Sequence, residues 1–213
     1  MRRTVIATTL LVALAVIAVA GIAASAPPPQ QGPQPASEVE LRLDMQHMWE
    51  NHVRDLNDLI NAVVNGDPST QAILNKSLGH VDMMTASLAT FYGQQAASSL
   101  NQELKAHEMS VYDYAVAAKA GNQAGMQTVM TNSQQINTQI AQCLSSLNPN
   151  WPFEVVKAAF DQHVNDLVTI TQQMLAGDFV GALNTLDVAV EHAQAFANTM
   201  TNGLVAQFPD RFA

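Results

Sequence analysis

The chain has 213 residues, with nine Lys and Arg against eighteen Asp and Glu and a formal net charge of −9. An acidic surface repels phosphate backbones and no basic cluster relieves it, which argues against nucleic acid as a partner. A single cysteine, Cys143, rules out an intramolecular disulfide. Its apolar, helix-like surroundings read as a small hydrophobe rather than a nucleophile.

In chain order, Arg2 and Arg3 precede an apolar run from Val5 to Ile22, and Ala24-Ser25-Ala26 follows. Residues 1–26 read as a signal peptide cut at that small-residue pattern, or as an uncleaved transmembrane helix, since about 20 apolar residues span a bilayer. Positive charge stays inside, so both choices make the remainder extracytoplasmic, secreted or anchored to the membrane. Residues 27–36, PPPQQGPQPA, favour polyproline II and cannot join a core, so they read as a Pro-rich tether. Residues 37–213 are the expected folded domain.

From there the pattern is all-α. Ala, Gln, Leu and Met abound, apolar residues recur at three and four, and no stretch alternates as a strand. Breaks at Gly66-Asp67-Pro68, Gly93, Gly121-Asn122, Asn148-Pro149-Asn150-Trp151-Pro152 and Gly177-Asp178 divide the domain. They predict an up-down antiparallel helical bundle of about six helices, arranged as three repeated hairpins of roughly 55 residues. Asp67 is the expected N-cap of the second helix, with Pro68 at its first position.

The repeat is carried by histidine. His52, His107 and His163 precede Gly66, Gly121 and Gly177 by 66 − 52, 121 − 107 and 177 − 163, each 14 residues. His80 follows Gly66 by 14 residues and His192 follows Gly177 by 15. The second hairpin departs, with Gln135 or Ile136 at that place. Helical rise then sets His52, His80, His107, His163 and His192 at one height in the bundle. Trp49, Leu104 and Phe160 lie three residues before the leading histidines, and Leu56, Val111 and Leu167 four after, so each shares the core-facing stripe. His47 lies off that stripe and reads as exposed.

Two readings of the layer follow. Facing imidazoles could bind a metal, zinc or copper being better suited to an all-nitrogen set than calcium or magnesium. Glu50, Asp55, Asp161, Asp166 and Glu191 stand within three residues of a layer histidine and could orient the rings. Alternatively, these are structural histidines, duplicated with their hairpins, in an interaction domain of the cell envelope. Met45 and Met48 share the stripe of His52, which keeps copper(I) in view, although methionine at helical spacing more often fills a core. No phosphate loop, nucleophile elbow, zinc-protease helix or paired Glu-x-x-His motif occurs, so nothing in the sequence speaks for catalysis.

Several stretches resemble a family of His-containing all-helical proteins of bacteria and archaea for which no activity is established. They are Met48-Trp49-Glu50-Asn51-His52-Val53, Leu104-Lys105-Ala106-His107, Ala117-Ala118-Lys119-Ala120-Gly121, Ser145-Ser146-Leu147-Asn148-Pro149-Asn150-Trp151 and Gln207-Phe208-Pro209-Asp210-Arg211-Phe212, with His163 and His192. The resemblance spans roughly residues 40–212 and rests most on the Asn-Pro-Asn-Trp and Gln-Phe-Pro-x-x-Phe pieces. It implies a helical fold and supplies no catalytic residue. Members carry aromatic and Thr-Arg residues shortly after the first histidine, where this chain has Arg54-Asp55-Leu56, so the resemblance gives Asp55 no role.

Overall fold

The computed structural model describes residues 37–212, and the signal or anchor and the Pro-rich tether expected in 1–36 lie outside them. Among the described residues the chain is all helix, without a strand. The helices are α1 (Glu38–Asn65), α2 (Thr70–Lys119), α3 (Gln123–Leu147), α4 (Phe153–Leu175) and α5 (Phe179–Gln207), followed by a 3-10 turn at Pro209–Arg211. None of them is long and apolar enough to cross a membrane.

Five helices stand where the sequence predicts about six. Gly93 explains the difference: its backbone (φ 82, ψ 167) is not helical, yet the flanking segments run together without a loop. The two halves of α2 lie side by side. Lys105 Nζ is 2.6 Å from Asp82 Oδ1, Asn101 donates to the same Asp82 oxygen at 2.8 Å, and Ser77 Oγ donates to Glu108. Ser77 and Glu108 are 31 residues apart, which in an unbroken helix would separate them by about 46 Å. The chain therefore doubles back at Gly93.

The three Gly-containing turns are built alike. Gly66, Gly121 and Gly177 have φ of 69, 65 and 76. The next residue donates its backbone N–H five residues back, Asp67 to Ala62, Asn122 to Ala117 and Asp178 to Gln173, each at 2.9 Å. This is the Schellman closure, which satisfies carbonyls a helix end leaves open and needs a left-handed residue. Asn122 and Asp178 then cap the next helix, accepting from Gly125 and Gly181 N–H at 2.9 Å. Asp67 does not, contrary to expectation. Its carboxylate accepts from the backbone and hydroxyl of Ser69, both at 2.7 Å, an Asx turn that delays α2 until Thr70.

The predicted stripe is the core. Leu56, Leu59, Leu167 and Ile170 are almost wholly buried, joined by Ile140, Leu144, Met200 and Leu204 from α3 and α5. Helix α1 packs on α2, α4 and α5, while α3 joins α2 to α4. The break between α3 and α4 is also anchored: Trp151 is fully buried and its indole N–H donates to the Met200 carbonyl at 3.2 Å.

Candidate metal centre

Three of the five layer histidines converge. His52 on α1, His107 on the second half of α2 and His163 on α4 have ring centroids 5.3–6.0 Å apart. One nitrogen from each lies within 4.8 Å of the others. Nitrogens bound to a tetrahedral ion at about 2.0–2.1 Å stand roughly 3.3 Å apart, so ring rotations of about an ångström would close the triangle. His52 and His107 are 2% and 0% exposed, and His163 is partly buried.

Each ring stands on the inward stripe of its helix, held by aromatic packing. Trp49 meets His52 edge-on at 5.8 Å, and Phe160 meets His107 likewise at 5.6 Å. These are the residues three positions before His52 and His163.

The surroundings orient the rings. His52 Nδ1 lies 2.9 Å from Glu108 Oε1, and Glu108, itself fully buried, accepts from Ser77 with its other oxygen. His52 Nε2 is thereby turned away from the carboxylate and carries no hydrogen bond; His163 Nε2 is buried and unpartnered too. Asn137 sits against His107, and its amide donates to Asp161 Oδ1 at 3.0 Å, leaving Oδ1 to face the ring. A carboxylate and an amide behind two of three imidazoles match the outer contacts that fix ring tautomers at metal sites.

Electrostatics disfavour the charged form of two of the rings, His107 and His163. Burial pushes His107 down to about 4, with charge on His52 adding to the effect and Glu108 and Asn137 opposing it. His163 falls well below its ordinary value for the same first reason, then through His52 and His107. Burial alone would raise the Glu108 carboxyl, but the charge and hydrogen bond of His52, with help from His107 and Ser77, bring it below its usual range. The result is a buried carboxylate close to two imidazoles, His107 and His163, that resist protonation, a set that attracts a cation.

The other two layer histidines turn outward. His80 pairs through Nδ1 with Asp55, which also holds Lys76 Nζ at 2.7 Å. His192 Nδ1 lies 2.7 Å from Asp166, which also accepts from Gln162 at 2.8 Å. Asp55 and Asp166 stand at the same distance, three residues, after His52 and His163, and each pairs with an outer histidine. Equal height along the bundle does not give equal direction around it, and the five-histidine layer resolves into a core of three and two outer His–Asp pairs. Three residues after His107 stands Ser110, which is not a carboxylate.

The remaining candidates separate in the same way. Asp161 reaches the centre through Asn137, with Lys157 at 2.5 Å on its outer side. Glu50 is tied to Arg54 at 2.7 Å and to Gln194, and Glu191 faces solvent, so neither touches a core imidazole. His47 is exposed, as its spacing predicts. Glu108, Ser77 and Asn137 escaped the sequence reading. Glu108 is adjacent to His107 and was within the same three-residue reach as the named carboxylates. Asn137 and Ser77 carry no sequence signal.

An apolar cavity of about 210 Å³ lies against His52 and His163, walled by Trp49, Phe160 and Phe196 and edged by His192. The histidine centre thus borders a space from one side rather than being closed by protein all round.

The comparisons with known proteins place the chain in no family: no family model matches it, and neither does any curated protein or solved structure. The resemblance read from short sequence pieces has no further support, and the site stands on its own geometry.

Proposed function

We propose that the protein binds a divalent transition metal, zinc or copper(II) first among them, through His52, His107 and His163, in a module held outside the cytoplasm by its N-terminal segment. The observation that carries this reading is the convergence of three imidazoles, two buried and one partly buried, each with a buried nitrogen that has no hydrogen-bond partner. Unsatisfied buried polar atoms cost about 1–3 kcal/mol each, and three together in one place are rare unless something satisfies them. Three nitrogen ligands leave a fourth position for a small ligand, the pattern of open zinc sites. The His–Asp pairs at His80 and His192 belong to the architecture instead. In this reading the bundle is a hairpin used three times, with the doubling back at Gly93 separating the first from the second. The identical glycine turns and the matching pairs Asp55–His80 and Asp166–His192 support it.

The test is elemental analysis of the purified protein after incubation with zinc or copper(II) and removal of excess ion. One ion per chain is expected, lost when His52, His107 and His163 are replaced together by Gln and kept when His80 and His192 are. A wild-type protein without bound metal would leave the second reading, an interaction domain of the cell envelope whose histidines are structural. The outer His–Asp ion pairs already suit that reading.

A further inference from the structure

The cavity beside the histidines has a character of its own. Trp49, Phe160 and Phe196 stand edge to face around it, with centroids 4.7 Å apart for Trp49–Phe196 and 5.4 Å for Phe160–Phe196. Interplanar angles of 86° and 77° turn ring faces and ring edges toward the same space. Aliphatic contributions come from Val53, Ala159 and Ala193. A cavity of about 150 Å³ lined by apolar side chains holds benzene. At about 210 Å³ this one admits a single ring with a small substituent.

Polar groups are fewer, with Gln162 and Thr199 joining three histidines. His52 and His163 form one wall, and His192, with its side chain 44% exposed, marks the solvent edge. Trp49 is 6% exposed, yet its indole N–H is buried and has no hydrogen-bond partner. A donor left free in a wall residue, beside the two imidazoles, calls for an acceptor on whatever enters. Pockets of this make-up, mostly apolar with a few convergent polar groups, are the usual form of a small-molecule site.

We infer that the cavity binds a single-ring aromatic molecule carrying one anionic oxygen group, its ring among Trp49, Phe160 and Phe196. Resting on the proposed metal function, the anionic oxygen takes the ion's fourth position, so the ligand bridges cavity and metal. The ring component does not depend on the metal.

Three probes separate these parts. Benzoate carries both ring and carboxylate, acetate the carboxylate alone, and toluene the ring alone. The protein loaded with Co²⁺ is titrated with benzoate and acetate and followed by the visible bands of the ion. Metal-free protein is titrated with toluene and followed by tryptophan fluorescence. Benzoate is expected to bind at least about tenfold tighter than acetate, and toluene to saturate. Ala159→Leu and Ala193→Leu, two separate fillings of the cavity with the fold checked by circular dichroism, remove both effects while Co²⁺ still loads. Benzoate no tighter than acetate on loaded protein overturns the inference and leaves the metal reading intact. Failure to load Co²⁺ removes the metal reading. Toluene then decides the cavity by itself: saturable binding lost in Ala159→Leu supports it, and absence of binding overturns it.

Discussion

Glu108 is a carboxylate where water does not reach, stabilised by the His52 ring and the Ser77 hydroxyl. It holds His52 with Nδ1 toward itself, which leaves Nε2 unpartnered on the far side of the ring. Glu108→Gln keeps the shape but removes the charge and permits the other tautomer. Outer contacts of this kind are worth about 10–100-fold in metal affinity. We expect a loss in that range for Zn²⁺ in a competition titration against a chelator, with stoichiometry still one; unchanged affinity would deny Glu108 this role. The same neighbourhood makes the metal-free protein acid-sensitive. His107 is lowered from 6.5 to about 4. Below pH 6.5 the unfolded chain binds a proton that the folded chain refuses. Stability from this group is thus complete above about 6.5 and lost progressively toward 4. His163 shifts the same way. The urea midpoint of metal-free protein should fall between pH 7 and 5, and the fall should be shallower in His107→Gln.

At the scale of elements, glycine has opposite meanings at different places. Gly177 has φ 76 and open space around it, so Gly177→Ala meets only the left-handed backbone penalty of about 1–2 kcal/mol. Gly203 lies in the last two turns of α5 with Trp151 so close that an added Cβ would overlap the indole. Gly203→Ala should cost about 1–3 kcal/mol or more, because the fully buried Trp151 has nowhere to move. Gly79, within α2 and with nothing near its missing Cβ, predicts the reverse: Gly79→Ala should gain about 0.5–1 kcal/mol. Denaturant midpoints of the three variants test the ordering, and a stabilised Gly203→Ala would refute the account of Trp151. Position in a helix pattern made Gly66, Gly121 and Gly177 readable as turns. Gly203 was not readable, because its reason is a side chain 52 residues earlier in the chain.

For the whole molecule, an ion that binds only the folded state adds RT ln(1 + [M]/Kd), about 2.7 kcal/mol when free metal is a hundred times Kd. A domain of this size gains roughly 2–4 °C in Tm per kcal/mol, so saturating Zn²⁺ should raise Tm by about 5–11 °C. The triple His52, His107 and His163 variant should show no such rise. The contrast says how far the sequence reached. A histidine at a constant distance from a glycine turn sets height along its helix, and three of the five rings do meet. Direction around the helix depends on how neighbouring helices rotate against each other. That rotation put His80 and His192 outside with Asp55 and Asp166, and brought Glu108 and Asn137 inside. Gly93 was legible as a break but not as one tight enough to leave α2 unbroken by any loop.

Each core imidazole comes from a different antiparallel pair of helical segments, and this spreads the centre across most of the synthesis of the chain. A growing polypeptide that has left the ribosome through Gly121 holds His52 and His107 but lacks the third ligand. A further stretch, past the Asn148–Trp151 break, must emerge before His163 can join them. A two-coordinate nascent chain would hold an ion weakly and exchange it freely. Tight capture then waits until α4 has docked, so an occupied centre would certify that α1, α2 and α4 have come together.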